Sequence, residues 1–207
     1  MERSDLDLAP MGDGALRFRR APGTDARALL AALRAWPFVI DAVVTEEHAC
    51  VTFDPARPPS APWSAMEAAM TGGHLERERD GAPRLWTVRV RYDGPDLEDV
   101  ARACGLAADE VVRRHTARVY DVAMVGFLPG FAYLASIDPV LVVPRRATPR
   151  ARVDAFAVGV AAGYTGIYPC ASAGGWNLLG HAVDFAPFGP DGARLALGDR
   201  VRFEPAS

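Results

Sequence analysis

From Arg84 onward, short runs of β-forming residues alternate with glycine and proline, and this pattern limits the possible folds more than any other feature of the sequence. Many short strands joined by frequent turns are typical of closed or nearly closed β-barrels. The sequence therefore predicts a β-barrel in this part of the chain. Its strands are expected within RLWTVRVRY, RVYDVAMVGF, LVVPRR, VDAFAVGVAA, IYPCASAGGWNLLG and ALGDRVRFEP.

Two helices are predicted between the first two of these strands. The first begins at Asp96, buries a face that includes Val100, and ends at Gly105, because glycine is favoured just beyond a helix C-terminus. The second spans roughly Ala108–Thr116 and carries His115 near its end.

The most hydrophobic segment, MVGFLPGFAYL, contains its own chain-breaking residues. Gly126 and Gly130 permit positive φ or close backbone approach, and Pro129 fixes φ and donates no hydrogen bond. A bend here would re-aim the strand so that Phe127 and Phe131 reach a place that a straight strand could not. The two rings then form either a packed corner of the sheet or the wall of a pocket or partner-docking edge.

The residues before Arg84 predict the element order βαββαβ, which matches a small ferredoxin-like unit. A strand at Ala15–Arg19 precedes a helix that Thr24 caps and that Trp36 and the following proline end. The strands FVIDAVV and ACVTF follow, and then a helix near Trp63–Met70 and a closing strand, HLERE. The segment RDGAP (Arg79–Pro83) is typical of a linker.

Composition excludes several classes of function. The net charge of −3 gives no electrostatic case for nucleic acid or an anionic membrane. No apolar run approaches the ~20 residues of a membrane span, and MERSDLDL does not have the pattern of a signal peptide. Three cysteines without a C-x-x-C pair suggest neither a disulfide framework nor a zinc site, so we expect a reducing, cytoplasmic location.

All 23 basic residues are arginine, and this excludes some chemistry outright. Without lysine, the chain can carry no Walker-A lysine, no Schiff base with pyridoxal phosphate and no biotinyl-lysine. We expect this bias to come from a genome rich in G and C.

Five ordered motifs resemble one protein family, the KipI family, also called the allophanate hydrolase subunit 1-like family, which includes the B subunit of bacterial ATP-dependent 5-oxoprolinase. The motifs are GFLPGFAYL, PRRATPRARV (Pro144–Val153), YTGIYP (Tyr164–Pro169), GGWNLLG (Gly174–Gly180) and GDRVRF (Gly198–Phe203). The segments GDGALRF, YDGPDLEDVA and RRHTARVYDV fall where the family has similar ones, so the resemblance covers the whole chain.

The resemblance implies an α+β protein with an N-terminal ferredoxin-like α/β domain, residues 1–83, followed by a cyclophilin-like β-barrel domain, residues 84–207. It also implies a partner, the subunit 2-like protein (KipA, or the C subunit of 5-oxoprolinase), and often a third subunit of the LamB/YcsF type. The implied ligands are a small lactam or amide such as 5-oxoproline and, in the assembled complex, ATP with Mg.

Several motif cores depart from the family pattern. RVDAFAV stands where the family usually reads R-V-P-A-G-S-V, so Phe156 replaces a glycine and brings a large ring. Tyr164 replaces a glutamine and offers one hydroxyl in place of an amide. We expect the two side chains to narrow the pocket, with Phe156 packed in a cavity.

His115 and a group of arginines are the candidates for chemistry. Without the resemblance, His115 is a surface or capping histidine; the family also has a histidine here, which favours a site role such as accepting a proton or hydrogen-bonding a lactam. The arginine cluster of PRRATPRARV is either a solvated loop or a clamp for a carboxylate or phosphate, and Arg150 and Arg152 are chosen because they flank its second half.

The predicted site combines these residues with the aromatic and glycine-rich motifs. We expect His115, Phe131, Arg150, Thr165 and Trp176 to converge on one cleft. No spacing of His, Asp and Glu supports a metal site. The predicted catalytic residues are His115 and Arg150, and the predicted substrate-binding residues are Phe127, Phe131, Arg152, Phe156, Tyr164, Thr165 and Trp176.

Three functions follow from the residues and the resemblance. The first is a component of an ATP-dependent hydrolase that opens a lactam or amide such as 5-oxoproline, inactive without its partner. The second is an inhibitor that docks on the dimerisation region of a sensor histidine kinase. The third is a specialised homologue that binds another small molecule in a biosynthetic pathway, which the changes at Asp154, Phe156 and Tyr164 favour.

The domain division can be tested by limited proteolysis. We expect early cleavage within Arg79–Pro83 and a folded C-terminal fragment, because an exposed Gly/Pro-containing linker is cut before a packed barrel. Mass spectrometry and circular dichroism of the fragment are the measurements. Cleavage spread evenly along the chain, or an unfolded fragment, contradicts the division.

Overall fold

The computed structural model describes residues 7–56 and 82–206. The chain divides into two compact units, Met1–Ala82 and Pro83–Ser207. The helix predicted near Trp63–Met70, the strand HLERE and the linker as far as Gly81 lie outside the described residues.

The first unit is a sheet with one described helix, whose side chains include the buried Leu29 and Leu33. Its strands lie in the order β1-β2-β4-β3, and the three longer ones have the first-third-second order of a ferredoxin-like unit. Asp25, not the predicted Thr24, caps the helix, because its carboxylate accepts from the backbone N–H groups of Arg27 and Ala28. The elements are β1 (Ala9–Pro10), β2 (Ala15–Arg19), α1 (Ala26–Arg34), β3 (Val39–Val44) and β4 (His48–Phe53).

The second unit contains a closed seven-stranded barrel in the order β10-β7-β6-β15-β5-β12-β9, with β9 paired to β10. The elements are β5 (Leu85–Arg91), α2 (Leu97–Cys104), α3 (Ala108–Thr116), β6 (Val119–Val125), β7 (Ala132–Ala135), a 3-10 helix (Pro139–Leu141), β8 (Arg150–Val153), β9 (Ala157–Ala161), β10 (Tyr164–Ile167), β11 (Ser172–Gly174), β12 (Asn177–Ala182), β13 (Phe188–Gly189), β14 (Gly192–Ala193) and β15 (Arg200–Pro205). The predicted α+β class with a C-terminal β-barrel is confirmed.

The barrel closes through pairing between its first and last strands. β15 lies between β5 and β6 and runs parallel to β5, with Arg200 opposite Leu85 and Phe203 opposite Val88. The other described pairings in the barrel are antiparallel. Alternate residues of these strands, such as Val90, Val201 and Phe203, fill the interior.

The two predicted helices of this unit form where the sequence indicates them. α2 ends at Gly105, which is left-handed at φ +66°, and Val100 is buried. α3 ends at Thr116 and buries His115 together with Val111.

The prediction of a strand in LVVPRR is wrong. Asp138 accepts a hydrogen bond from the backbone N–H of Val140, and Pro139 has a φ suited to the first turn, so Pro139–Leu141 is a 3-10 helix. The residues that follow carry no strand as far as Arg150, although the carbonyl of Val143 accepts from the N–H of Ala162. This segment carries Arg146, and Arg150 follows as the first residue of β8.

The segment GFLPGF is a hairpin turn, not a bent strand. β6 and β7 pair on either side of it, and the N–H of Phe131 donates to the carbonyl of Leu128 at 3.0 Å. Pro129 and Gly130, with φ +83° at the glycine, occupy the two central positions as in a type II turn. Phe131 is buried at the start of β7, whereas Phe127 has positive φ and is 59% exposed.

Phe156 lies in a tight turn between β8 and β9 rather than in a cavity. The N–H of Ala157 donates to the carbonyl of Asp154, and Phe156 has φ +67°. This is the conformation that glycine adopts most easily, which explains why glycine suits the position. Phe156 is 37% exposed, so the expectation that its ring packs in a cavity is wrong, whereas its part in narrowing a pocket stays a prediction.

Replacing this residue tests the turn. In Phe156→Gly, relief of the left-handed strain, about 1–2 kcal/mol, offsets the lost contact of a partly buried ring, so we expect a free energy of unfolding within about 1 kcal/mol of wild type. Phe131→Ala is the control, because its ring is 1% exposed and its removal costs about 3–5 kcal/mol. Urea unfolding measures both, and equal losses would contradict the turn geometry.

Candidate functional site

A buried hydrogen-bonded chain runs from Tyr92 through His115 to Thr165 and Gly159. The Tyr92 hydroxyl lies 2.7 Å from His115 Nδ1, and His115 Nε2 lies 2.9 Å from Thr165 Oγ1. Thr165 donates its single hydroxyl hydrogen to the carbonyl of Gly159 at 3.1 Å, so it accepts from His115 Nε2. The Tyr92 hydroxyl therefore donates to Nδ1, and both imidazole nitrogens of a neutral histidine are engaged.

The surroundings of His115 keep it uncharged. Its ring is stacked on Phe203 with centroids 4.7 Å apart, and Tyr120 donates its hydroxyl hydrogen to the His115 carbonyl. The side chain is fully buried, and this burial lowers the pKa of His115 to about 3. Burial likewise raises the pKa values of Tyr92 and Tyr120.

Asp96 is a second buried polar centre. It lies at the N-terminus of α2 but makes no side-chain capping bond there. Its Oδ1 accepts from Arg146 Nη1 at 2.7 Å and Arg150 Nη2 at 2.6 Å, and its Oδ2 accepts from the N–H of Leu178 at 2.7 Å. Burial raises the pKa of Asp96, but the hydrogen bonds from Arg150 and Leu178 and the charges of the two arginines outweigh it and leave the pKa below its ordinary value.

The two arginines are only partly satisfied by this carboxylate. Nε of Arg146 and Nη1 of Arg150 are buried and have no hydrogen-bond partner. Two guanidinium charges therefore share one carboxylate and leave a net charge of +1 within these three residues. Their backbone is held in place, because the N–H of Arg146 donates to the carbonyl of Gly175 and Arg150 pairs with Gly174 between β8 and β11.

A cluster of aromatic rings forms the third group. Phe131 makes edge-to-face contacts with Phe127, Tyr133, Tyr168 and Trp176, at centroid distances between 5.0 and 5.5 Å. Such contacts stabilise the packing beyond the area they bury. Tyr133 also contacts the ring of Tyr164, so these six rings are the ring cluster of the barrel domain.

β10 connects the histidine to the ring cluster. Thr165 faces His115, and its neighbour Gly166 faces the other way, since alternate residues of a strand point to opposite sides. A Cβ at Gly166 would lie 3.1 Å from a ring atom of Phe131 and 3.2 Å from one of Trp176, so glycine lets both rings approach the strand.

By their contacts the predicted site residues form three groups: His115 with Thr165, the rings with Trp176, and Arg150 with Asp96. That these groups line one cleft stays a prediction. His115 cannot contact a ligand in this conformation, because it is fully buried, so its predicted catalytic role is not supported by the geometry. For the other residues, a part in binding a ligand stays a prediction.

Arg152 and Tyr164 lie near the surface. The Arg152 guanidinium pairs with Asp154 at 3.4 Å, and both side chains are well exposed. Tyr164 is half-buried at the edge of the ring cluster. Arg152 therefore belongs to the solvated-loop interpretation of the arginine cluster, whereas Arg150 points inward.

Sequence reasoning misses Asp96 and Arg146 as site residues. It interprets Asp96 as the start of a helix, because Asp before an amphipathic run is a common N-terminal signal. One signal could have indicated a further role for Asp96. The segment YDGPDLEDVA resembles a segment of the family, whereas starting a helix requires only a capping residue. Only the fold shows that its carboxylate contacts residues 50, 54 and 82 positions later.

Two cavities of the described residues lie away from these groups. One, of about 480 Å³, lies beside the end of α3 and is lined by Arg113, Arg114, Ala117, Arg118, Val119, Ser136 and Asp138. The other, of about 490 Å³, belongs to the first unit and is lined by Leu8, Pro10, Gly12, Asp13, Ala15, Leu16 and Phe53. Neither includes a predicted site residue.

The described ranges, residues 7–56 and 82–206, contain no group of three or more His, Cys, Asp or Glu side chains arranged to hold a metal ion. None of their helices is long and apolar enough to cross a membrane.

Comparison with known proteins gives consistent matches. A model of the carboxyltransferase domain, subdomain C and D, matches residues 8–196. The B subunit of 5-oxoprolinase from Escherichia coli O157:H7 is 46% identical over 114 residues, which are 54% of this chain and 52% of that protein. The B subunit of 5-oxoprolinase from Bacillus subtilis (strain 168) is 40% identical over 125 residues, 58% of this chain and 52% of that protein.

A solved structure extends the match to most of the chain. The crystal structure of TTHA0988 superposes with a TM-score of 0.77 and 37% identity, covering 93% of this chain and 40% of that one. The chain spans about half the length of the curated relatives it matches.

The buried histidine predicts a specific pH dependence of stability. The folded pKa of His115 is about 3, whereas the unfolded chain has an ordinary value near 6.5. Between these values the unfolded chain binds the extra proton, so the stability contribution is complete above about pH 6.5 and is lost as the pH falls. We expect the free energy of unfolding to drop by about 2 kcal/mol between pH 6.5 and 4.5.

His115→Gln is the matched variant, because it cannot take up a proton. The folded-state pKa of Asp96 is lowered, so its contribution is lost only below its ordinary value near 3.8, outside this window. Urea unfolding at several pH values gives the slope for each protein. Equal slopes in the two proteins would show that His115 does not titrate on unfolding.

Proposed function

Because the chain belongs to the family of the carboxyltransferase domain, subdomain C and D, we propose that it is one subunit of an ATP-dependent 5-oxoprolinase-type hydrolase, which opens a small lactam or amide together with a subunit 2-like partner. The family predicted from the motifs is confirmed. The observation that carries the proposal is the 40% and 46% identity to two proteins named as the B subunit of 5-oxoprolinase.

The substrate in this proposal is 5-oxoproline, a lactam that carries a carboxylate. Opening a lactam is unfavourable without activation, and phosphorylation by ATP supplies that activation. Developing negative charge at oxygen is stabilised by preorganised N–H donors and arginines in a water-poor site. The buried N–H groups at Arg146 Nε and Arg150 Nη1 are donors of this class.

In this proposal His115 is a positioning residue and does not contact the substrate. It holds Thr165, and with it β10, by a hydrogen bond inside the barrel. Gly166, the next residue of β10, lies against Phe131 and Trp176, so the strand fixes the rings of the ring cluster. The histidine therefore supports the shape of the barrel rather than exchanging a proton with a ligand.

The partner is the subunit 2-like protein, KipA or the C subunit of 5-oxoprolinase, with a LamB/YcsF-type protein as a third component. ATP and Mg are used by the assembled complex, in the cytoplasm, and Mg enters it bound to the ATP phosphates. The arginine donors of this chain fit an anionic oxygen of substrate or nucleotide.

Reconstitution tests the proposal. The purified full chain is mixed with the subunit 2-like and LamB/YcsF-type proteins of the same genome, with 5-oxoproline, ATP and Mg, and the release of ADP and glutamate is measured. We expect turnover from the complete set and none from the chain alone. Turnover by the chain alone contradicts the subunit assignment, and an assembled but inactive set contradicts the substrate.

Gly180→Val provides the negative control. A Cβ at Gly180 would overlap the backbone carbonyl of Arg91 on the neighbouring strand β5, so the variant cannot pair β12 with β5 as the wild type does. We expect it to fail to restore turnover when it replaces the wild-type chain. Full turnover with this variant would show that the activity does not depend on the barrel.

A further inference from the structure

Arg146 and Arg150 share a single negative charge, the carboxylate of Asp96. Each also has a buried nitrogen that makes no hydrogen bond. Nε of Arg146 and Nη1 of Arg150 are buried without hydrogen bonds, although each residue also donates to Asp96 Oδ1. An unmade hydrogen bond on a buried charged group is unfavourable, so such atoms normally have a ligand or an ordered water as partner.

The charge balance points the same way. Two guanidinium groups face one buried carboxylate, so the group carries a net charge of +1 beside the N-terminus of α2. The second carboxylate oxygen of Asp96, Oδ2, is already engaged, because it accepts a hydrogen bond from the N–H of Leu178. One further anionic oxygen ligand would neutralise the group.

The backbone that carries the arginines is fixed before any ligand arrives. The Asn177 amide donates to the carbonyl of Pro144, the N–H of Arg146 donates to the carbonyl of Gly175, and Arg150 is paired in β8. Their side chains remain 33% and 23% exposed, for Arg146 and Arg150 respectively. Rotation of side-chain torsions is therefore enough to present the unpaired N–H groups to a ligand from solvent, at little entropic cost in the backbone.

Neighbouring groups favour an anion with an attached ring. Tyr168 of the ring cluster lies against Gly174, the residue of β11 that pairs with Arg150, because a Cβ at Gly174 would overlap the Tyr168 hydroxyl. Burial raises the pKa of this hydroxyl, and the charges of Arg145 and Arg150 oppose that effect in part. Trp176 packs on Phe131 in the same ring cluster. A cationic donor pair thus lies beside an apolar aromatic surface.

We propose that Arg146 and Arg150 form an oxyanion-binding site, with Asp96 as the counter-charge that the two guanidinium groups share. The ligand class is a carboxylate or a phosphate. The inference that the ligand is an oxyanion depends only on the two arginines. The choice of the 5-oxoproline carboxylate as that ligand rests on the proposed function.

Ligand-induced stabilisation of the full chain tests the site. The unfolding midpoint is measured with L-5-oxoproline, with 2-pyrrolidinone, which lacks the carboxylate, and with inorganic phosphate, all at matched ionic strength. We expect 5-oxoproline to stabilise the wild type and 2-pyrrolidinone to have no effect. Arg146→Gln and Arg150→Gln should each weaken binding about 10- to 100-fold, as expected for loss of a charged hydrogen bond.

Arg102→Gln is the matched control, because it removes the same charge from an exposed side chain of α2, the helix that Asp96 precedes. It should bind like the wild type. If Arg146→Gln fails to fold, Arg146→Lys replaces it, since lysine keeps the charge beside Asp96 but lacks the planar donor set of arginine. Phosphate stabilises folded proteins generally. The criterion is therefore the difference between wild type and the Arg146 variant in the shift of the unfolding midpoint that the ligand causes.

The possible outcomes distinguish a carboxylate ligand from a phosphate ligand, and they distinguish failure of the anion site from failure of the proposed function. Stabilisation by phosphate alone, lost in the Arg146 variant, supports the oxyanion site and overturns the carboxylate assignment. No specific response to either anion overturns the site and indicates that water satisfies the guanidinium groups. Active reconstituted enzyme without anion binding overturns only this inference, and anion binding with an inactive reconstituted set overturns only the proposed function.

Discussion

The buried carboxylate of Asp96 joins three segments that are far apart in the sequence. It accepts from Arg146 in the loop before β8, from Arg150 at the start of that strand, and from the backbone of Leu178 in β12. Burying a charge is unfavourable unless it is paired and hydrogen-bonded, so the four groups depend on one another. Removal of any one would leave the others charged or polar, buried and incompletely satisfied.

Glycine makes this junction possible. Gly94 approaches β12 so closely that a Cβ there would overlap the backbone of Leu178 and Leu179. The N–H of Gly94 donates to the carbonyl of Leu179 and the N–H of Asp96 to that of Leu178, so the turn before α2 is attached to the strand by its main chain. The motifs YDGPD, PRRATPR and GGWNLLG, which are separate patterns in the sequence, are in contact around one side chain.

Much of the barrel domain could be predicted from its sequence because its signals are local. Alternation within strands and the glycine after α2 depend on neighbouring residues, and they indicate the barrel and the end of the helix at Gly105. The turn at Phe156 could not be predicted in this way, because no glycine or proline marks it. The 3-10 helix at Pro139–Leu141 has a local signal in Asp138 and Pro139, but the β-forming run LVV that follows favours a strand. Asp96 could not be recognised as a site residue, since its role depends on pairs 50 and 54 residues apart.

The parallel pairing of β15 with β5 sets the order in which the barrel can assemble. Asp199, just before β15, accepts hydrogen bonds from Arg84 and Trp86, which are 115 and 113 residues away. During synthesis, β5 and β6 leave the ribosome long before β15, the strand that lies between them in the barrel. The edges of β5 and β6 that pair with β15 therefore stay open until β15 emerges. Pairing strands so far apart in the sequence makes folding slow, and until β15 is in place the half-made sheet needs protection from pairing with other chains.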